Sequence, residues 1–249
     1  MSKTDPHTIL FVSDTHFHLE PQSDELARVD LFLNFLEMAR KADELVLLGD
    51  IFDFWFDYPH FRLKGYERLL IALDAVRDAG TIIHFIGGNH DIWAADYMHR
   101  RYGCTPGGEA TTLSLQGRRL RLVHGDGLLL RDRPYQAFRW LVRQPLGIAF
   151  AKSLHPEILF AFSRWLSHTS RKASRDEGAV IERRAEAYLV RTTDDWDLML
   201  IGHLHHAFHK ERDGRALAAL GSWFDEASYG MMKEGRFQLL DFAADPRPL

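Results

Sequence analysis

Seven residues carry donor atoms that suit a hard or borderline cation, and they fall in five short clusters. Asp14 and His16 form an Asp-x-His pair, Asp50 follows Gly49, and Asn89 follows Gly88. His124 precedes Gly125-Asp126, and His203 and His205 form a His-x-His pair after Gly202. The donors are carboxylate, amide and imidazole, a set that suits Mn²⁺, Fe²⁺ or Zn²⁺. Cys104, the lone cysteine, excludes both an internal disulfide and a cysteine zinc cluster. Residues two apart on an extended segment can point the same way, so Asp14 with His16, and His203 with His205, can each present a pair. A carboxylate such as Asp50 can bridge two cations about 3.5–4 Å apart, the separation used in two-metal phosphoester chemistry. Taken singly, an Asp-x-His after a strand reads as a turn or a cap. The signal lies in the five clusters together.

The elements that must position these clusters are legible as five apolar runs, at 8–13, 44–48, 81–86, 119–123 and 197–201. Each is short, rich in Val, Ile, Leu and Phe, and followed at once by Asp, Asn, His or Gly, as for strands buried on both faces. Helical patterns lie between the early runs. One covers 24–40, with Leu26, Val29, Leu33 and Leu36 on a stripe, and another covers 68–79 and stops at Gly80. Strands alternating with helices imply an α/β fold with a largely parallel sheet, whose site gathers at the carboxyl ends of the strands. Later segments look antiparallel. Runs 110–115 and 118–123 flank a Gln116-Gly117 turn, and short strands are expected at 198–201, 215–220 and 236–242, with a turn at Asp213-Gly214. A helical, aromatic-rich insert from about 134 to 190 holds Tyr135, Phe138, Trp140, Phe150, Phe160, Phe162 and Trp165. Residues 1–249 thus read as one domain carrying a lid-like insert, with a frayed tail at 243–249.

Composition agrees with a globular protein. The chain has 249 residues, 46% hydrophobic and 27% charged, which excludes disorder and fibrous repeats. A net charge of −4 gives no support for nucleic-acid binding, and no nucleic-acid partner is expected. Residues 131–184 nevertheless hold 11 Lys/Arg against 5 Asp/Glu, so a basic insert sits in an acidic body. On its own such a run is a solvated helical face; beside a site it fits an anionic ligand or surface. The longest apolar-looking stretch, 145–162, is broken by Lys152, His155, Pro156 and Glu157, so no membrane span is expected and a cytoplasmic location is.

The blocks Asp14-Thr15-His16, Gly49-Asp50-Ile51-Phe52-Asp53, Gly88-Asn89-His90-Asp91, His124-Gly125-Asp126 and Gly202-His203-Leu204-His205 resemble the five blocks of the calcineurin-like metallophosphoesterases, in the family's order, over roughly residues 8–242. The resemblance implies a four-layer αββα sandwich with a dinuclear site at one edge. It implies one metal on Asp14, His16 and His205, a second on Asn89, His124 and His203, and Asp50 as the bridge. It further implies that His90, held by Asp53 or Asp91, sits beside the phosphate as charge stabiliser or general acid. Two divalent ions, Mn²⁺ first and Fe²⁺ or Zn²⁺ as alternatives, would activate water for in-line attack on phosphorus.

Outside the core blocks, the apolar tail Phe54-Trp55, the segment Asp132 with Tyr135-Gln136-Ala137-Phe138-Arg139, and Leu220-Gly221-Ser222-Trp223 are similar to the family's lipid A branch, which cleaves UDP-2,3-diacylglucosamine. That likeness implies a glycolipid substrate, with Asp132, Tyr135, Arg139, Ser170, Arg171 and Arg175 as substrate contacts. A greasy insert could hold acyl chains, at about 0.8 kcal/mol per buried methylene. Its basic residues could face a pyrophosphate and the inner-membrane surface. Trp140 and Phe150 could as readily pack on the sandwich. One departure stands out: the best-known lipid A enzymes have Arg at the position of His90. A phosphatase or phosphodiesterase acting on nucleotides, and a non-catalytic metal-binding scaffold, are the competing readings. Oligomeric state is left open, His206 is unassigned, and the other histidines, His18 among them, need no special role.

Overall fold

The computed structural model describes residues 7–57, 64–104, 110–125, 128, 140–141, 144–161, 178–223 and 225–245. The chain first runs through β1 (Thr8–Val12), α1 (Ser23–Ala39), β2 (Glu44–Leu48), α2 (Glu67–Asp78), β3 (Ile82–Ile86), α3 (Ala95–Tyr102), β4 (Ala110–Leu115) and β5 (Arg118–Val123). It continues through α4 (Pro145–Ser153), α5 (Gly178–Arg191), β6 (Leu198–Ile201), β7 (Ala207–Arg212), β8 (Arg215–Leu220), β9 (Ser228–Lys233) and β10 (Arg236–Asp241). All five sequence-predicted runs are strands, and β1, β2 and β6 are buried at every residue.

The strands form two mixed sheets rather than one largely parallel sheet. The first has the order β10-β9-β1-β2-β3 and the second β4-β5-β6-β8-β7. Within each, three neighbouring strands are parallel: β1, β2 and β3 in one, β5, β6 and β8 in the other. Antiparallel strands complete both sheets. The difference from expectation has a local cause, because the three parallel strands of the first sheet come from the N-terminal α/β half and its antiparallel pair from the C-terminal hairpin.

Side-chain alternation along each strand builds four layers. Leu10, Val12, Leu45, Leu47, Ile83 and Phe85 face α1, α2 and α3 in one core. Ile9, Phe11, Val46, Leu48 and Ile86 point the other way, against Leu120, Leu122, Leu198, Leu200 and Ala218 of the second sheet. On the far face of that sheet, Met199, Ile201, Leu217 and Ala219 meet Ile181, Ala185 and Leu189 of α5. The result is the αββα sandwich.

In α1 the buried stripe differs from the one read off the leucines. Leu26 is exposed and Leu33 only half-buried, while Val29, Phe32, Phe35, Leu36 and Ala39 form the core face. Phe32 and Phe35 lie 5.7 Å apart and meet Trp223 at 5.0 and 5.4 Å. Large aromatic faces bury more area than leucines, and they set the helix's rotation. Both anticipated turns form, with Gln116-Gly117 at φ 51° and 75° and Asp213-Gly214 at 51° and 79°, the pattern of a two-residue type I′ hairpin. Strands β7 and β9 escape sequence reading, since one is charged along half its length and the other is interrupted by Gly230. In the insert, Trp140 and Phe150 do not pack on the sandwich. They are 64% and 66% exposed, alongside exposed Leu141 and Leu146. No helix among the described residues is long and apolar enough to cross a membrane.

Candidate metal centre

The loops after β1, β2, β3, β5 and β6 meet at one edge of the sandwich. Backbone bonds lash the first two together: Asp14 N–H donates to Gly49 O at 3.0 Å, and His16 N–H donates to Asp50 O at 2.9 Å. Five of the seven sequence-predicted donors then sit in the left-handed region, with φ of 53° at Asp14, 43° at His16, 54° at Asp50, 63° at His203 and 49° at His205. A non-glycine residue there costs on the order of 1–3 kcal/mol. The concentration of that strain at one edge is what turns the side chains off the strand ends toward a common point. Gly88 makes the approach of the third loop possible, because a Cβ there would lie 2.1 Å from Asp50 Oδ1.

Two groups of side chains result, each with its donor atoms within 4.8 Å of one another: Asp14, His16 and His205, and Asp50, His124 and His203. A third grouping joins Asp50 to His16 and His90, so Asp50 links the sets. His16 Nε2 lies 3.0 Å from His205 Nε2 and 3.7 Å from both Asp14 Oδ1 and Asp50 Oδ2. His124 Nε2 lies 3.2 Å from Asp50 Oδ2 and 3.1 Å from Asn89 Oδ1. The other nitrogen of His124 donates to Leu48 O at 3.1 Å. A carbonyl only accepts, so Nδ1 carries the proton and Nε2 presents a lone pair to the cluster, as a metal-ligating histidine must.

The electrostatics fit a cation. Asp14 and Asp50 are fully buried. Burial would raise both pKa values, yet Asp14 is held below the ordinary carboxylate range by the imidazoles of His16 and His205 beside it, and Asp50 well below it by the neighbouring His124 and His90. Two of the surrounding imidazoles are themselves driven toward the neutral form. Burial lowers His16, and burial with the charge of His124 lowers His203 to about 3. His205 is raised: burial pushes it down, and the Asp14 carboxylate beside it outweighs that. Among the described residues no Lys or Arg pairs with either carboxylate. Ionised carboxylates ringed by imidazole nitrogens, with no Lys or Arg pairing them among the described residues, are a donor set that a divalent cation completes.

Behind these groups the structure separates two residues that the sequence treats alike. Asp53 reaches His90, whose Nδ1 donates to Asp53 O at 2.8 Å and lies 3.6 Å from Asp53 Oδ1. Asp91 instead acts as a buried staple. Its carboxylate accepts from the backbone N–H groups of Asp50, Ile51 and Phe52 on one loop and Gly88 on the next, at 2.7 to 3.2 Å. Burial and the nearby Asp50 charge push its pKa up to about 6. Two residues absent from the sequence-based site also belong to this edge. His18 Nδ1 meets Glu25 Oε2 at 2.8 Å, and His18 Nε2 faces Asp53 Oδ2 at 3.5 Å. The signal that could have found them is a third histidine at alternate spacing, Asp14-x-His16-x-His18. Asp132, Tyr135, Arg139, Ser170, Arg171 and Arg175 lie outside the described residues, as does Asp126.

The model of the calcineurin-like phosphoesterase family matches residues 7–207. The chain belongs to that family. The phosphoesterase is similar to proteins named UDP-2,3-diacylglucosamine hydrolase from two strains of Stenotrophomonas maltophilia. One is 32% identical, covering 93% of this chain and 97% of the relative, and the other 34%, covering 89% and 93%. A protein of the same name from Porphyromonas gingivalis is 28% identical over 90% of this chain and 93% of its own length. The solved structure of an archaeal phosphodiesterase aligns with 94% of this chain and 99% of its own at 11% identity and a TM-score of 0.46, too loosely to bear on the site. Family and site chemistry together make this chain a metal-dependent phosphoester hydrolase that uses divalent cations.

Proposed function

We propose that the enzyme hydrolyses the pyrophosphate bond of UDP-2,3-diacylglucosamine, releasing UMP and 2,3-diacylglucosamine 1-phosphate, with two divalent cations of which Mn²⁺ is the first choice and Fe²⁺ or Zn²⁺ the alternatives. The observation that carries this reading is the near full-length likeness, in both directions, to relatives named for that substrate, joined to the paired ligand groups that share Asp50. In this account Asp14, His16 and His205 would hold one ion, Asn89, His124 and His203 would hold the other, and Asp50 would serve both. Bound cations would neutralise phosphoryl oxygens and lower the pKa of attacking water. The protein supplies the rest. His90, its Nδ1–H committed to Asp53 O, would in its imidazolium form present an Nε2–H to a phosphoryl oxygen or the leaving group, as charge stabiliser or general acid. Asp91 holds the Asp50 and Gly88 loops at fixed separation.

The exposed Trp140, Leu141, Leu146 and Phe150 support a surface that meets acyl chains. With the basic composition of 131–184, they also support contact with the cytoplasmic face of an anionic inner membrane. Asp132, Tyr135, Arg139, Ser170, Arg171 and Arg175 are the proposed substrate contacts. A second reading, a phosphodiesterase acting on smaller phosphoesters, is favoured by His90, which stands where the best-known lipid A enzymes have Arg. Parallel assays with Mn²⁺ on UDP-2,3-diacylglucosamine, its deacylated counterpart and bis-p-nitrophenyl phosphate separate the two. A strong preference for the acylated substrate supports the first; equal rates with and without acyl chains would remove the lipid assignment.

A further inference from the structure

His18 is bracketed by two buried carboxylates. Glu25, in the first turn of α1, is 2% exposed and grips His18 twice, accepting from its backbone N–H at 2.9 Å and lying 2.8 Å from Nδ1. On the far side of the ring, Nε2 is 3.5 Å from Oδ2 of Asp53, which is 3% exposed. The other oxygen of Asp53 faces the Nδ1 atoms of His90, at 3.6 Å, and His16, at 3.9 Å. Backbone bonds fix the frame: Asp53 N–H donates to Phe17 O at 3.0 Å, and Trp55 N–H donates to His90 O at 3.2 Å. A continuous line of side chains therefore runs from the first helix to the residue beside the candidate metal site.

We propose that Glu25 and His18 are positioning residues that act through Asp53 on His90. The proposal rests on His90 working beside the metal site, as described above. The physics is that of an outer shell. An imidazole clamped at two points and set 3.5 Å from the second oxygen of a carboxylate narrows the range over which that carboxylate can swing. With Asp53 fixed, its carbonyl accepts from His90 Nδ1–H at 2.8 Å while its Oδ1 faces the same nitrogen at 3.6 Å, so the ring is oriented with Nε2, protonated in the imidazolium form, directed to its task. Partners of this kind change activity by roughly 10–100-fold when removed.

The test uses Glu25→Gln and His18→Gln. Glutamine at 25 keeps one acceptor oxygen and loses the second. Hydrolysis of bis-p-nitrophenyl phosphate with Mn²⁺ is measured for each variant, for His90→Gln, and for the double variant Glu25→Gln/His90→Gln. The expected result is a fall in kcat of roughly tenfold with KM and metal content unchanged, and a double variant no slower than His90→Gln alone. Wild-type kcat in Glu25→Gln, or losses that multiply in the double variant, would overturn the proposal, because a merely structural defect acts independently of His90. Imidazole ¹⁵N spectra, recorded with Zn²⁺ and without metal, give a readout apart from turnover. In its neutral form wild-type His90 should carry its proton on Nδ1, and both variants should shift that form toward a mixture of tautomers. Unchanged His90 signals in both would count against the relay. Should wild-type protein show no metal-dependent hydrolysis, the proposed function fails, and the spectra alone then decide the relay.

Discussion

Gly88→Ala is the sharpest perturbation of the site that leaves every proposed ligand in place. A Cβ at 88 would lie 2.1 Å from Asp50 Oδ1, 2.5 Å from Asp50 N and 2.8 Å from Asp50 Cγ. Restoring an ordinary contact of about 3.5 Å requires a shift of well over 1 Å. Rotating the Asp50 side chain cannot supply it, since the backbone nitrogen is also in the way. The loops themselves must part, against the staple that Asp91 forms between Asp50 N–H and Gly88 N–H at 3.1 and 2.8 Å. Overpacking of this kind costs about 1–3 kcal/mol, a fall in Tm of roughly 2–12 °C for a chain of this size. Misplacing the shared carboxylate by about 1 Å costs activity on the order of 100-fold. The comparison variant is Gly80→Ala. Its φ of 96° is also left-handed, but nothing lies within 4 Å of the added atom, so it loses about 1–2 kcal/mol from backbone strain and no turnover. Metal content after gel filtration, Mn²⁺-dependent hydrolysis and Tm are measured for both. Gly88→Ala with wild-type metal content and turnover would refute the reasoning that Asp50 is held where both ion sites need it.

Other expectations follow from the same geometry. Asp50→Ala should lose metal and hydrolysis together, whereas His90→Ala should retain metal by elemental analysis and lose turnover by about 10²–10⁴-fold. Asp91→Ala strips a shared acceptor from four buried N–H groups. At about 1–3 kcal/mol for each group left unsatisfied, chemical denaturation should show a loss of several kcal/mol even in metal-free protein. Phe32→Ala, at the meeting of Phe17, Phe35 and Trp223, should cost about 3–5 kcal/mol while leaving metal affinity near wild type; a matching loss of metal affinity would show that core and site are not separable.

What the sequence makes legible follows the physics of each element. Strands β1, β2 and β6, buried at every residue, and β3 and β5, buried toward their carboxyl ends, are short apolar runs with polar ends, so they and the loops that follow them stand out. Strand β7, charged along half its length, shows no such pattern. In α1 the leucine stripe is misleading because Phe32 and Phe35 claim the core and leave Leu26 outside. The seven candidate donors can be named from type and spacing, yet the roles of the residues behind them cannot. Asp53 and Asp91 are both acidic residues close to the ligand motifs, and only the folded loops show one reaching His90 and the other gripping backbone N–H groups. Glu25 is invisible for a similar reason. It reads as a surface residue of a helix start, and it is buried only because the loop carrying His18 folds back over it.

The most direct test of the account is UMP release from UDP-2,3-diacylglucosamine by metal-depleted protein as Mn²⁺ is titrated back. The account predicts no release without metal, activity that saturates at two ions per chain, and none at any Mn²⁺ concentration from Asp50→Ala. Release that is independent of metal, or its persistence in Asp50→Ala, would contradict it.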